Sequence, residues 1–166
     1  FSIGKQSFKD KKIMKNLIKN YLLGIFLINF SFYAFAESNP KSYKKIVCKM
    51  EINKKLSHLL SIEIADTEEK RSHGLMNRDE LKPNSGMLFI WKESRVRNFW
   101  MKNTFFDLDL FFLNKDGEII EFHKNAKAFD KTNIKSREKV MFVLEVKAGE
   151  HDFKLGNKLI CNFKGI

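Results

Sequence analysis

The sequence predicts a mainly β fold: a compact β-sandwich or barrel-like single domain with one short helix. Three observations predict it. Apolar runs recur along the chain, each too short for a helix and bounded by turn residues. Ile62 and Ile64 alternate with Glu63, the period of a half-buried strand. One segment alone, residues 66–74, carries both helix start and helix stop signals.

Ahead of the domain, residues 14–36 read as a cleavable secretory signal peptide. Met14 opens a polar stretch with Lys15 and Lys19, residues 21–32 are mostly apolar, and Ala34-Phe35-Ala36 fits a small-x-small cleavage site. The apolar part falls short of the roughly 20 residues a spanning helix needs. Cleavage after Ala36 is expected to leave no stable membrane anchor. Residues 1–13 form a lysine-rich N-terminal extension, and Met14 reads as the start. Residues 37–58 are expected to hold a lead-in and the first strand, and residues 59–166 the body of the domain.

Within that body, strands are expected over 46–52 and 59–65, joined by the turn Asn53-Lys54-Lys55. Asp66 can cap a helix and Glu69 follows at capping-box spacing; Gly74 stops it. Residues 82–86 read as a turn, then 87–91 as a buried strand, 95–101 as the next and 107–113 as another. Asn114-Lys115-Asp116-Gly117 is a hairpin turn with the Asp-Gly signal, and 118–122 returns from it. Residues 125–136 are polar and irregular, a long loop of the kind that covers a site. Strands over 140–146 and 158–163 close the domain.

The whole chain carries a formal charge of +11. Loss of residues 1–36 removes six lysines and Asp10, which leaves 25 basic against 19 acidic residues, or +6. Arginines are few, the lysines are scattered and no nucleic-acid-reading motif occurs, so a nucleic-acid partner is not expected. In an oxidising compartment Cys48 and Cys161, near the two ends of the domain, are expected to pair if their strands are neighbours. Such a bridge is worth about 4 kcal/mol in the chain-entropy picture.

Searches for catalytic motifs return little. His58, His73, His123 and His151 lack metal-ligand spacing and read as isolated, solvent-facing residues; no metal or other cofactor is expected. One segment stands out: residues 98–109, which set bulky apolar residues against a polar knot. On a strand, Asp107 and Asp109 would share a face and could hold a cation or share a proton. The alternative is that one faces solvent while the other ties backbone N–H groups in a turn. Trp100 is either core or a stacking platform.

The residues then match a family. Gly74-Leu75-Met76, Gly86-Met87-Leu88-Phe89, Trp100-Met101-Lys102-Asn103-Thr104, Leu108-Asp109 and 143–149, in this order, resemble domain-of-unknown-function family 192 over residues 59–163. The resemblance implies a sandwich- or barrel-like domain, often behind a signal peptide, and implies no reaction. This chain departs from the family pattern at Asp107 and Phe129, where prolines are usual.

Together these readings predict a periplasmic or secreted, monomeric, non-catalytic domain that binds a small molecule or an envelope protein. Its expected site is Arg78, Trp100, Lys102, Asn103, Thr104 and Asp109. The rival is a hydrolase acting on an envelope component with Asp109 as general base. A third reading makes the segment structural, with Asn103 and Asp109 tying the backbone and Trp100 filling the core.

Overall fold

The computed structural model describes residues 42–162. The signal segment, the N-terminal extension and Phe163, the last residue of the final expected strand, lie outside the described residues. The elements run β1 (Lys44–Ile52), β2 (Lys55–Ala65), α1 (Glu68–His73), β3 (Ser85–Arg95), β4 (Asn98–Phe99), β5 (Leu108–Leu113), β6 (Ile119–Ala126), β7 (Ile134–Lys135), β8 (Val140–Lys147) and β9 (Lys158–Cys161).

Seven strands form one mixed sheet in the order β6-β5-β8-β3-β2-β1-β9, and β4 pairs with β7 in a small second sheet. Only β2 and β3 run parallel; α1 and the turn after it supply the crossover between them. The hairpin β1–β2 turns at Asn53 and Lys54, both at positive φ, as a tight turn matched to strand twist requires. The outermost strands of the large sheet approach at a single isolated bridge, Glu118–Lys158. No full ladder joins them, so the fold is not a closed barrel.

Both faces of the sheet are covered, which explains why β5 and β8 read as near-continuous apolar runs. All six residues of β5 are buried. Phe111 and Leu113 join a core with Leu60, Ile62, Leu144, Val146 and Phe153. Leu108, Leu110 and Phe112 face the other way, into a second core with Met87, Phe89, Met101 and Val143. At Gly86, close backbone approach requires the glycine: a Cβ would collide with the Glu145 carbonyl oxygen.

Cys48 and Cys161 sit opposite each other across β1 and β9 and are bonded, so the bridge pins an edge strand of four residues to the sheet. Three local expectations are corrected. The helix is capped by Thr67, whose hydroxyl accepts from Lys70 N at 3.2 Å, because Asp66 is drawn instead into an ion pair with Lys70 Nζ at 2.8 Å. Residues 85–95 form one long strand whose pairing with β8 shifts between Ile90 and Arg95, and the strand expected over 95–101 shrinks to β4, Asn98 and Phe99, paired with β7. The long loop is correspondingly interrupted by β7 at Ile134 and Lys135.

Candidate functional site

The second core opens into a cleft of about 670 Å³ between α1, the far half of β3 and the segment after it. Strand alternation builds its floor. Met87, Phe89 and Trp91 share one face of β3, and Glu145, paired with Met87, shares that face on β8 with Val143. Aromatic rings form the wall: Phe99 stands edge-on to Phe89 at 5.0 Å and to Trp91 at 6.2 Å between centroids. Two arginines flank Trp91. Arg97 lies 4.2 Å and Arg71 5.4 Å from the indole centroid. Arg71 also ties α1 to the sheet, donating to the carbonyls of Asp66 at 2.7 Å and Ile90 at 2.9 Å.

Two polar atoms of the cleft are buried without a partner, and a third group there is a buried acid. Glu145 is 5% exposed, and no protein group among the described residues donates to its carboxyl. Burial pushes its pKa from an ordinary 4.5 up to about 8, and the positive charge of Arg78 opposes that rise only in part. At neutral pH Glu145 is therefore a protonated acid, able both to donate and to accept. His73 is buried at the end of α1 with its Nδ1 unpartnered, and Arg97 Nε is buried without an acceptor while its Nη2 donates to the Glu93 carbonyl at 2.7 Å. Burial and the neighbouring Arg95 pull the Arg97 guanidinium below its ordinary pKa. Unsatisfied buried groups of this kind call for an explanation, and an external partner is one.

The six residues expected from sequence divide. Trp100 and Thr104 line the cleft; Thr104 is buried, and Trp100 is 53% exposed rather than core. Lys102 lies outside the lining with its Nζ 5.8 Å from the Trp100 ring. Asn103 is at φ 55 and accepts through its carbonyl from Asn77 N at 2.8 Å, a backbone role. Arg78 pairs with Glu63 at 2.7 Å and packs on the Tyr43 ring; it reaches the cleft only through its field on Glu145.

Asp109 is elsewhere. It is 1% exposed and takes N–H groups from Asn125 at 2.8 Å and Gly149 at 3.1 Å, with Lys124 Nζ at 3.2 Å. These groups border a separate, shallower depression with His151. Asp107 does not share a site with it: Asp107 holds Ala128 N at 2.8 Å and Lys127 Nζ at 2.8 Å, partners that keep its carboxyl below the usual range. Among the described residues no group of three or more His, Cys, Asp or Glu side chains could hold a metal ion. The histidines are not all solvent-facing either: His73 and His151 are buried, the latter stacked on Phe153 with ring centroids 4.7 Å apart.

Sequence reasoning missed Glu145, His73, Arg71, Trp91 and Arg97. Glu145 had a readable signal, a single acid inside the apolar run of β8. Arg97 had none, because it lies beyond the end of β3 and meets the cleft only in the folded chain.

Comparison with known proteins supports the fold. No curated protein matches. A solved structure from Sinorhizobium meliloti 1021, provisionally described as a transcription regulator, is 36% identical with a TM-score of 0.71, covering 74% of this chain and 98% of that one. A protein of unknown function from Novosphingobium aromaticivorans DSM 12444 is 28% identical with a TM-score of 0.67, covering 73% and 89%. The family model for DUF192, described as Uncharacterized ACR, matches residues 49–159, and with the bulk of the described domain inside that match the chain belongs to the DUF192 family, whose function is unknown.

Proposed function

We propose that this is an exported, non-catalytic domain that binds a small ligand in the cleft between α1 and β3. The observation that carries the reading is Glu145: a buried carboxyl with no hydrogen bond from the described residues, lining an open cleft that also holds Trp91, Trp100 and the guanidinium groups of Arg71, Arg95 and Arg97. His73 Nδ1 and Arg97 Nε of the same cleft are buried without partners, and leaving such a group unpaired costs about 1–3 kcal/mol, a cost that a ligand's hydrogen bond would offset. Export is supported by the signal-like residues 14–36 and by the Cys48–Cys161 bridge, which suits an oxidising compartment. Asp109 supports the structural reading of its own segment better than a hydrolase, since its neighbours are protein N–H groups and a lysine. The regulator description belongs to the Sinorhizobium protein; scattered lysines and the signal-like pattern of residues 14–36 do not recommend it here.

The chain has two tryptophans, Trp91 and Trp100, and both line the cleft. Intrinsic fluorescence therefore reports occupancy directly. A thermal-shift screen against envelope metabolites, followed by fluorescence titration, is expected to find compounds that both stabilise the protein and change its emission. Stabilisation without a change in emission would move the site elsewhere. No response to any compound would leave a protein partner or a structural role. Sequencing the N-terminus of the mature protein tests cleavage after Ala36.

A further inference from the structure

We propose that the ligand of this cleft is a small organic acid bearing a ring, its carboxylate held by Arg97 and Arg71 and its ring laid on Trp100. The inference rests on the cleft-binding reading and names its ligand class. Arg97 and Arg71 stand 4.2 and 5.4 Å from one indole, and both line the cleft. Arg97 keeps a buried Nε–H with no acceptor, the donor that a carboxylate oxygen satisfies in the fork geometry of an arginine. Glu145, protonated by its burial, adds an O–H donor instead of a repelling charge. His73 adds a ring nitrogen with no partner.

The remaining charges of the cleft permit this arrangement. Glu93 is paired with Arg95 at 2.7 Å, and Glu68, in the first turn of α1, is exposed to solvent. A cationic ligand would face Arg71, Arg95 and Arg97 together. A neutral one would leave the Arg97 Nε–H without an ionic acceptor. The body of the ligand has a ready surface: Trp100 is 53% exposed although it borders the cleft, and a flat aromatic face takes either an aromatic ring or the apolar face of a sugar.

The test is a set of fluorescence titrations with matched pairs, phenylacetate against phenylacetamide and glucuronate against glucose. At least one acid is expected to saturate, with its neutral counterpart about tenfold weaker or worse. Arg97→Gln is expected to weaken that acid roughly ten- to hundredfold. Because Arg97 also packs on Trp91, Arg97→Lys serves as a second variant: it keeps the charge, loses the fork and falls between the two. Neutral compounds that bind as well as the acids, or an Arg97→Gln protein that binds the acid unchanged, would overturn the ligand class and leave cleft binding intact. If neither acid saturates, the ligand class fails; the metabolite screen then decides whether cleft binding fails with it.

Discussion

Replacing Glu145 with Gln should flatten the alkaline side of this protein's stability profile. The folded protein holds the Glu145 proton up to about pH 8, whereas the unfolded chain releases it near 4.5. Below the lower value both states are protonated and the buried acid adds no pH dependence. Between the two values the unfolded state gains by ionising, so stability falls by about 1.4 kcal/mol per pH unit. Above about pH 8 the loss is complete, on the order of 5 kcal/mol in total. Glutamine has a similar shape and no proton to release. Relative to wild type, the variant should therefore gain roughly 3–5 kcal/mol between pH 5 and pH 8.5, on the order of 10 °C in Tm for a domain of this size. Urea melts of both proteins across that range measure it. Glu63 and Asp66, held low by Arg78 and Lys70 respectively, contribute on the acid side with the opposite sign, stability lost as pH falls. They are common to both proteins and cancel in the difference. Parallel profiles for the two proteins would refute the claim that Glu145 is buried and neutral.

Reducing the Cys48–Cys161 bridge, which links residues 113 apart, should lower stability by about 4–5 kcal/mol, read as a shift in urea midpoint with and without reductant. Asp109→Asn should cost about 2–4 kcal/mol in the same assay, because the amide places N–H against the N–H groups of Asn125 or Gly149 and strips Lys124 of its anion. A neutral outcome would mean that the Asp109 cluster carries no structural weight. Gly86→Ala should cost about 3 kcal/mol or more, since the new Cβ meets the Glu145 carbonyl oxygen on β8, and yield of soluble protein gives the first readout.

What the sequence made legible was the local chemistry of strands and turns. The hairpin turns at Asn53-Lys54 and Asp116-Gly117, the helix stop at Gly74 and the buried run of β5 all follow from residue type and spacing. The helix cap was misassigned by one residue because two capping-competent side chains, Asp66 and Thr67, stand side by side, and an ion pair with Lys70 decided between them. The site was less legible. The segment 98–109 was rightly conspicuous, yet its residues serve different ends: Trp100 and Thr104 face the cleft, Asn103 offers its carbonyl to Asn77, and Asp109 fastens β5 to β6 and the turn after β8. Spacing along a chain does not reveal which side of a sheet a neighbouring strand will cover. Nor could it show that Arg97 lies over Trp91.

Two buried acids show how structural and functional roles part in this fold. Asp109 and Glu145 are almost equally inaccessible, at 1% and 5% exposed, and each lies on a sheet strand rich in apolar residues. Burial alone penalises both. Asp109 is met by two backbone N–H groups and an ammonium, so its burial is compensated inside the protein and the element junctions it ties become rigid. Glu145 is met by nothing of the kind, only by the distant field of Arg78, itself already committed to Glu63. A carboxyl kept only for packing could be replaced by an apolar side chain at a gain in stability. One kept beside an open cleft, neutral and unpaired, retains hydrogen-bonding capacity that the fold itself does not use. That asymmetry, rather than the number of polar residues in either place, separates the Asp109 side of the sheet, where the fold satisfies its own acid, from the Glu145 side, where we propose recognition.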